Sequence, residues 1–394
     1  MCKLTASGHA NQPADKPADR RETPGPPGDT GRRIGTMKIR RVCYDVGRVY
    51  GGGFVYGGGF KTRPTFDPEA THRELEIIRT DLHCNAVRLQ GRDIDRLLGV
   101  AQDALQQGLQ VWFSPELFEK RQPATLSYLT KAATAAEPLR RRFPDQLVFC
   151  VGTESTLFMK GIVPGWTMER RTANVRGGFK SGRYVEPLQA FLIRANEAVR
   201  QVFHGPLTYA SLTFEAVDWS LFDIIGVDHY RIARYDDRYA DTLRRYLGHG
   251  KPVVNTEFGH SPYRGDAADL LGLGERDNAS LALHQVPLVG RLVRPRLKKG
   301  THVRDEALQA RQLTKTLSLL DSAGADGAFV WTFVDPRWTF SEDPRYDLDM
   351  AAASLVKTYA GRHGTTYPDM PWEPKEAFRA VAAYYASQPA DAAD

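Results

Sequence analysis

The chain is poor in cysteine, with four in 394 residues and no C-x-x-C pair. That sparse placement argues against a structural zinc site and against a disulfide-built fold. Cys43, Cys84 and Cys150 each lie in or beside an apolar run and read as reduced packing residues of a cytoplasmic protein. Metal-binding histidine spacing is missing as well. His72, His83, His204, His249, His260, His284 and His302 are scattered, with no H-E-x-x-H or H-x-x-x-H pair, so no metal is expected. No window approaches the roughly 20 apolar residues of a spanning helix, which excludes a membrane partner on this reading.

Nucleotide and nucleic-acid signals are also lacking. The glycine triplets of "YGGGFVYGGGF" (50–60) do not have the G-x-x-x-x-G-K-[ST] order and do not open a helix. They read as a loop after the first strand, offering Phe54, Tyr56 and Phe60 to a ligand. The net charge of +6 gathers partly in two basic stretches, "ERRTANVRGGFK" (169–180) and "RLVRPRLKKG" (291–300), but no nucleic-acid-binding module accompanies them. No cofactor and no nucleic acid are therefore expected.

What remains is an ordinary globular composition, 42% apolar and 25% charged. Residues 1–36 are rich in Pro, Asp and Arg without apolar period, the composition of a disordered leader. Met37 stands directly before the first credible strand, so a single domain is expected over 37–390.

Within that domain short apolar runs alternate with segments of helical period, the pattern of repeated βα units and a parallel sheet. The runs are 41–47, 85–91, 109–115, 147–154, 207–211, 224–230, 252–259 and 327–334. Helices are expected over 67–83, 93–108, 122–142, 184–203, 236–247 and 304–324, while only one or two turns fit between the fifth and sixth runs. Eight strands in this arrangement predict an α/β fold, a (β/α)8 TIM barrel with extended loops after strands four and seven.

In such a barrel the active site lies at the C-terminal strand ends, so the polar residues closing each run carry the information. They are Arg88, Glu116, Glu154, His229, Tyr230, Glu257 and Trp331. A glutamate at a strand end is by itself most often a solvated loop acid. Two glutamates on strands four and seven, however, face one another across the mouth and would flank one bond. Glycoside cleavage needs such a pair, an acid for the leaving oxygen and a carboxylate for the developing positive charge. Arg88 would hold Glu257 ionised while drier surroundings keep Glu154 protonated.

These residues carry a resemblance. "NAVR" on strand two, the acid ending strand four, "HY" on strand six, "TEFG" on strand seven and a Trp on strand eight resemble the clan A glycoside hydrolases, retaining (β/α)8 enzymes. "VGTE", "GPLTYAS" and "KPVVNTEFG" look most like glycoside hydrolase family 113, whose members act mainly on β-mannosides. The resemblance implies Glu154 as acid/base, Glu257 as nucleophile, and Arg88, His229, Tyr230 and Trp331 around the cleaved sugar. Thr153 stands where most clan members place an asparagine that binds the sugar 2-hydroxyl. The expected function is thus a retaining β-glycosidase on β-mannosides or a related oligosaccharide. A transglycosidase with the same dyad, or a glycan-binding or defence protein without catalysis, are the alternatives.

Trp166, Phe179 and Trp338 in the long loops are candidate sugar-stacking platforms. Arg170, Arg171, Arg176, Arg291, Arg294 and Arg296 are candidates for an anionic group on the glycan. Neither the segment 260–304 nor "DPRYDLDMA" (343–351) belongs to the resemblance.

Overall fold

All eight expected runs close into one parallel barrel in the computed structural model: β1 (Ile39–Gly47), β2 (Ala86–Gly91), β3 (Gln110–Pro115), β4 (Leu147–Thr153), β5 (Leu207–Leu212), β6 (Ile225–Asp228), β7 (Val253–Phe258) and β8 (Gly327–Val330). Each strand pairs with its sequence neighbours, and β8 returns to β1. The structure describes residues 39–51, 60–178, 182–231, 238–265, 275–284, 286 and 288–388. The leader 1–36, Phe54, Tyr56, Phe179 and the side chain of Arg176 lie outside the described residues.

The barrel forms because each strand has two apolar faces with different tasks. Cys43, Arg88, Trp112 and Val148 occupy one register row across β1 to β4. Cys43, Trp112 and Val148 join Val254 and Phe329 as the filling of the barrel. Their neighbours in the chain, among them Val42, Leu89, Phe113 and Phe149, alternate outward and pack in the larger core beneath the helices.

Three of the helices begin where the chain supplies a side-chain acceptor for their free amides. Asp67, Asp93 and Asp305 cap Pro68–Thr80, Ile94–Gln106 and Glu306–Ser322 through their side chains. Gly108 and Gly324, both at φ +85°, turn the chain after two of them into the next strand. Only the short 3-10 turn Trp219–Leu221 separates β5 from β6, as the sequence implied. The described residues contain no helix long and apolar enough to cross a membrane.

The two long excursions also stand where expected. The one after β4 carries a single turn, Ser155–Phe158, and a helix, Met168–Gly178; the one after β7 carries a hairpin of Tyr263–Gly265 with His302–Arg304 and a helix, Asn278–His284. At the opposite end the C-terminal helix Glu376–Ala386 ties itself to β1 through Tyr385, whose hydroxyl donates to the Arg41 carbonyl at 2.9 Å.

Candidate active site

Strand alternation brings Arg88 and Gln90 of β2 to the same inner face, two residues apart. Both reach Glu257 at the end of β7. Arg88 Nη1 donates to Glu257 Oε1 at 3.1 Å and Gln90 Nε2 to the same oxygen at 2.7 Å, while Tyr230 donates its hydroxyl to Oε2 at 3.1 Å. A second guanidinium, Arg48, stands 3.4 Å from Oε1. Four donors thus surround one buried carboxyl and fix its position.

Glu154 is built differently. It follows β4 at φ 42° and ψ 49°, left-handed backbone that a residue with a side chain adopts at a cost of about 1–3 kcal/mol. The conformation is held from three sides: Glu154 N donates to the Ala210 carbonyl at 2.9 Å, Ser155 N to the Tyr209 hydroxyl at 2.8 Å, and the Glu154 carbonyl accepts from Leu157 N at 2.8 Å. This turn ends the strand and lifts the side chain into the mouth. Burial, then the charges of Asp228 and Glu257, push the Glu154 carboxyl well above the usual range. It is the group inclined to keep its proton.

The two glutamates and Asp228 of β6 present carboxylate oxygens all within 4.8 Å of one another. Among the described residues these three acids are the one grouping with metal-like spacing. Arg88, 3.1 Å from Glu257 and 3.6 Å from Asp228, already sits between them as a fixed cation, so the cluster balances its charge with a guanidinium and with protons. That arrangement suits proton transfer beside a carboxylate.

Beneath the pair lies a floor of coupled polar groups. Arg88 Nη2 donates to Thr153 Oγ1 at 2.6 Å; Thr153 donates in turn to Glu116 at 3.4 Å, and Gln90 Nε2 lies 3.2 Å from Glu116. Arg48 Nε faces Glu116 at 2.9 Å. Burial pushes the Glu116 carboxyl up to about 7 against the pull of Arg48. Thr153 and Glu116 therefore brace the cationic floor. The asparagine position of the resemblance is filled by a hydroxyl that Arg88 occupies.

Trp331 forms a wall of the same mouth, its ring 4.0 Å from the Arg48 guanidinium and against the barrel filling. Gly259 permits this close approach, because a Cβ there would come within 2.6 Å of the Trp331 carbonyl.

Several expected site residues are held elsewhere. His229 points to the outer face: its ring stacks on Tyr239 at 4.1 Å and its Nε2 meets the Tyr239 carbonyl at 3.0 Å. Alternation explains it, since His229 lies between two inward residues, Asp228 and Tyr230. Trp338 is buried instead of open to a sugar, stacked on Phe60 and capped by Arg276 at 3.7 Å. Trp166 is 77% exposed and lines an open surface pocket of about 230 Å³ with Arg121, Lys160 and residues 161–165. No contact joins it to the glutamates among the described residues. Of the basic set, Arg171 is buried against Glu119 and the Leu157 carbonyl, Arg296 pairs with Asp277, and Arg294 packs on Tyr346.

Sequence reasoning passed over Asp228, Gln90 and Arg48. The first two were within reach of the period-two rule, which puts Asp228 with Tyr230 and Gln90 with Arg88. Arg48 gave no signal, because it follows β1 in a turn set by Asp45, which accepts from Gly47 N and Arg48 N, and by the distant Thr62, whose Oγ1 accepts from Arg48 N at 2.8 Å.

No family model matches the chain, and no curated protein sequence does. Solved structures do. A family 113 β-mannanase from Alicyclobacillus acidocaldarius, in complex with ManMIm, superposes with a TM-score of 0.51 at 17% identity, over 89% of this chain and 98% of that one. A second family 113 enzyme, a β-1,4-mannanase, gives 0.50 at 14% identity over 90% and 100%. What they share with this chain is the (β/α)8 barrel. A β-D-glucuronidase from Dictyoglomus thermophilum shares it too, with a TM-score of 0.50 at 13% identity over 90% of this chain, which spans about half (51%) of that enzyme. At these identities the likeness establishes the barrel and leaves the chemistry to the side chains.

Proposed function

We propose that this protein is a retaining β-glycosidase. The observation that carries the reading is the approach of Glu154 and Glu257, from opposite walls of one mouth, to within 4.8 Å between carboxylate oxygens. Inverting enzymes hold the two groups about 6.5–9.5 Å apart to admit a water, whereas a nucleophile and acid acting on one anomeric carbon stand about 5–5.5 Å apart. The short approach fits the second arrangement.

In this reading Glu257 attacks the anomeric carbon while Glu154 gives its proton to the departing oxygen. Glu154, now ionised, then takes a proton from a water that displaces the sugar from Glu257. Arg88, Gln90 and Tyr230 hold the nucleophile in place, and Trp331 closes the sugar pocket. The similarity to family 113 β-mannanases favours β-mannosides or a related oligosaccharide as substrate. The buried or paired state of Arg171 and Arg296 gives an anionic glycan little support. A transglycosidase would use the same groups and differ in how well its cleft excludes water.

Two measurements test the proposal on a panel of nitrophenyl β-mannoside, glucoside, galactoside and glucuronide. NMR of the first-formed product is expected to show the β-anomer, and a 2-deoxy-2-fluoroglycoside of the accepted sugar is expected to label Glu257, read by peptide mass. An α-anomer or a label on another residue would overturn it.

A further inference from the structure

The two-glutamate reading leaves one acid in the mouth without a task. Asp228 ends β6 with its side chain fully buried. Thr256 donates its hydroxyl to Asp228 Oδ1 at 2.6 Å, and Arg88 Nη1 lies 3.6 Å from that oxygen. Its Oδ2 is buried with no hydrogen-bond partner, and one of its oxygens lies within 4.8 Å of both glutamates.

The groups facing Asp228 are Cys43 from β1, Arg88 from β2, Cys150 and Glu154 from β4, Glu215 after β5, Tyr230 beyond its own strand, and Glu257 from β7. Arg88 is the single cation in that set, so the acids differ in their claim on it. Glu257 has four donors. Asp228 has the Thr256 hydroxyl and the flank of Arg88. No donor reaches the Glu154 carboxyl among the described residues. The number of donors thus falls in the order Glu257, Asp228, Glu154.

We propose that Asp228 is a positioning residue for the acid/base step: its carboxylate, supported by Thr256 and Arg88, keeps the proton on Glu154 until a glycosidic oxygen takes it. After the transfer the same charge repels the newly ionised Glu154. That makes Glu154 a stronger base for the second step, when a water proton moves to it, the water oxygen bonds to the anomeric carbon, and the ester bond to Glu257 breaks. The inference rests on the reading of Glu154 as the acid. Burial and then the charge of Glu257 push Asp228 upward as well, so the two acids compete for the proton, and Arg88 with the Thr256 hydroxyl pulls Asp228 back down.

Asp228→Asn keeps the size of the side chain and the acceptor for Thr256 while removing the charge. The test follows the carboxyl carbons of 13C-glutamate-labelled protein through a pH titration, with Glu154→Gln to assign the Glu154 signal. The Glu154 midpoint is expected to fall by about one pH unit or more in Asp228→Asn. The alkaline limb of kcat/KM should fall with it for poor leaving groups, and stay in place for aryl leaving groups that need no proton. An unmoved midpoint would overturn the proposal. Because the titration needs no turnover, inactivity on every glycoside would sink the hydrolase reading and leave this result standing. Should Asp228→Asn fail to fold, Thr256→Val weakens the charge on Asp228 and is expected to move the midpoint the same way, with Thr256→Ser restoring it; an unmoved midpoint in the valine variant would equally refute the idea.

Discussion

Two buried charge clusters in this molecule look alike in composition and differ in balance. Beside the barrel, Arg304 pairs with Asp347 and Asp349 at 2.8 Å each and with Glu306 at 2.9 Å, Lys375 with Asp349 at 2.8 Å, and Lys357 with Glu306 at 3.1 Å. Three acids meet three cations. At the barrel mouth three acids, Glu154, Asp228 and Glu257, gather beside Arg88, which pairs with Asp228 and Glu257 alone, while Arg48 divides itself between Glu257 and Glu116. A matched set resists the desolvation of its members and locks segments together. A set with excess acid must retain protons, and retained protons beside a carboxylate are what bond cleavage uses.

The matched cluster explains the segment 343–351 that the resemblance left unassigned. Asp347 and Asp349 anchor it to Arg304 in the long excursion after β7, and Lys375 ties the start of the C-terminal helix to the same point. Lys375 is fully buried and also donates to the Ser354 carbonyl at 2.9 Å. Its role is the attachment of the loops that surround the mouth.

Variants that break this contrast should have effects of graded size. The largest belongs to the mouth: Glu257→Gln is expected to lower turnover about 10⁴-fold or more, and Glu154→Gln about 10²–10⁴-fold on poor leaving groups, with near-native melting curves. Steady-state rates on an aryl glycoside check the first, and rates on an alkyl glycoside of the same sugar check the second. Asp349→Asn should show the reverse pattern. It leaves Lys375 and Arg304 short of a partner and is expected to cost about 3–5 kcal/mol of stability, measured by urea unfolding, with the pH limits of turnover unchanged in whatever fraction stays folded.

A smaller effect sharpens the line between the two regions at Glu116. Its folded-state value near 7 exceeds that of the unfolded chain, so its stabilising contribution is fully present below about pH 4.5 and is lost as pH rises through about 7. Comparing melts at pH 5 and pH 8, Glu116→Gln should reduce the wild-type drop in stability toward higher pH. The smallest change is expected outside both clusters. Trp166→Ala should alter stability by no more than about 0.5 kcal/mol, because the ring is exposed. A raised KM on oligosaccharides alone, with aryl monosaccharides unaffected, would assign Trp166 to a distant part of the cleft.

The barrel was legible because its strands are short apolar runs separated by segments of helical period, signals that survive in a linear chain. The convergence of Glu154 and Glu257 was legible for a related reason: a carboxylate closing an apolar strand has few places to go except the mouth. His229 was misjudged by counting residues at the strand end without applying alternation, which turns every second side chain outward. Trp338 was misjudged because an aromatic in a loop carries no mark of whether it covers the core or faces solvent. Glu215 had no signal at all, yet it accepts from Thr156 N, Leu212 N and the Tyr209 hydroxyl under the turn that raises Glu154.

The order of apolar runs, the capping residues and the two strand-end glutamates thus determined the architecture and the residues on which chemistry could rest, since hydrophobic period and backbone capping are local properties. Which acids would hold protons was decided only by tertiary structure. That outcome depends on how many cations reach a buried cluster within a few ångströms, and Arg48, Arg88, Asp228 and Thr256 come from four separate places in the chain.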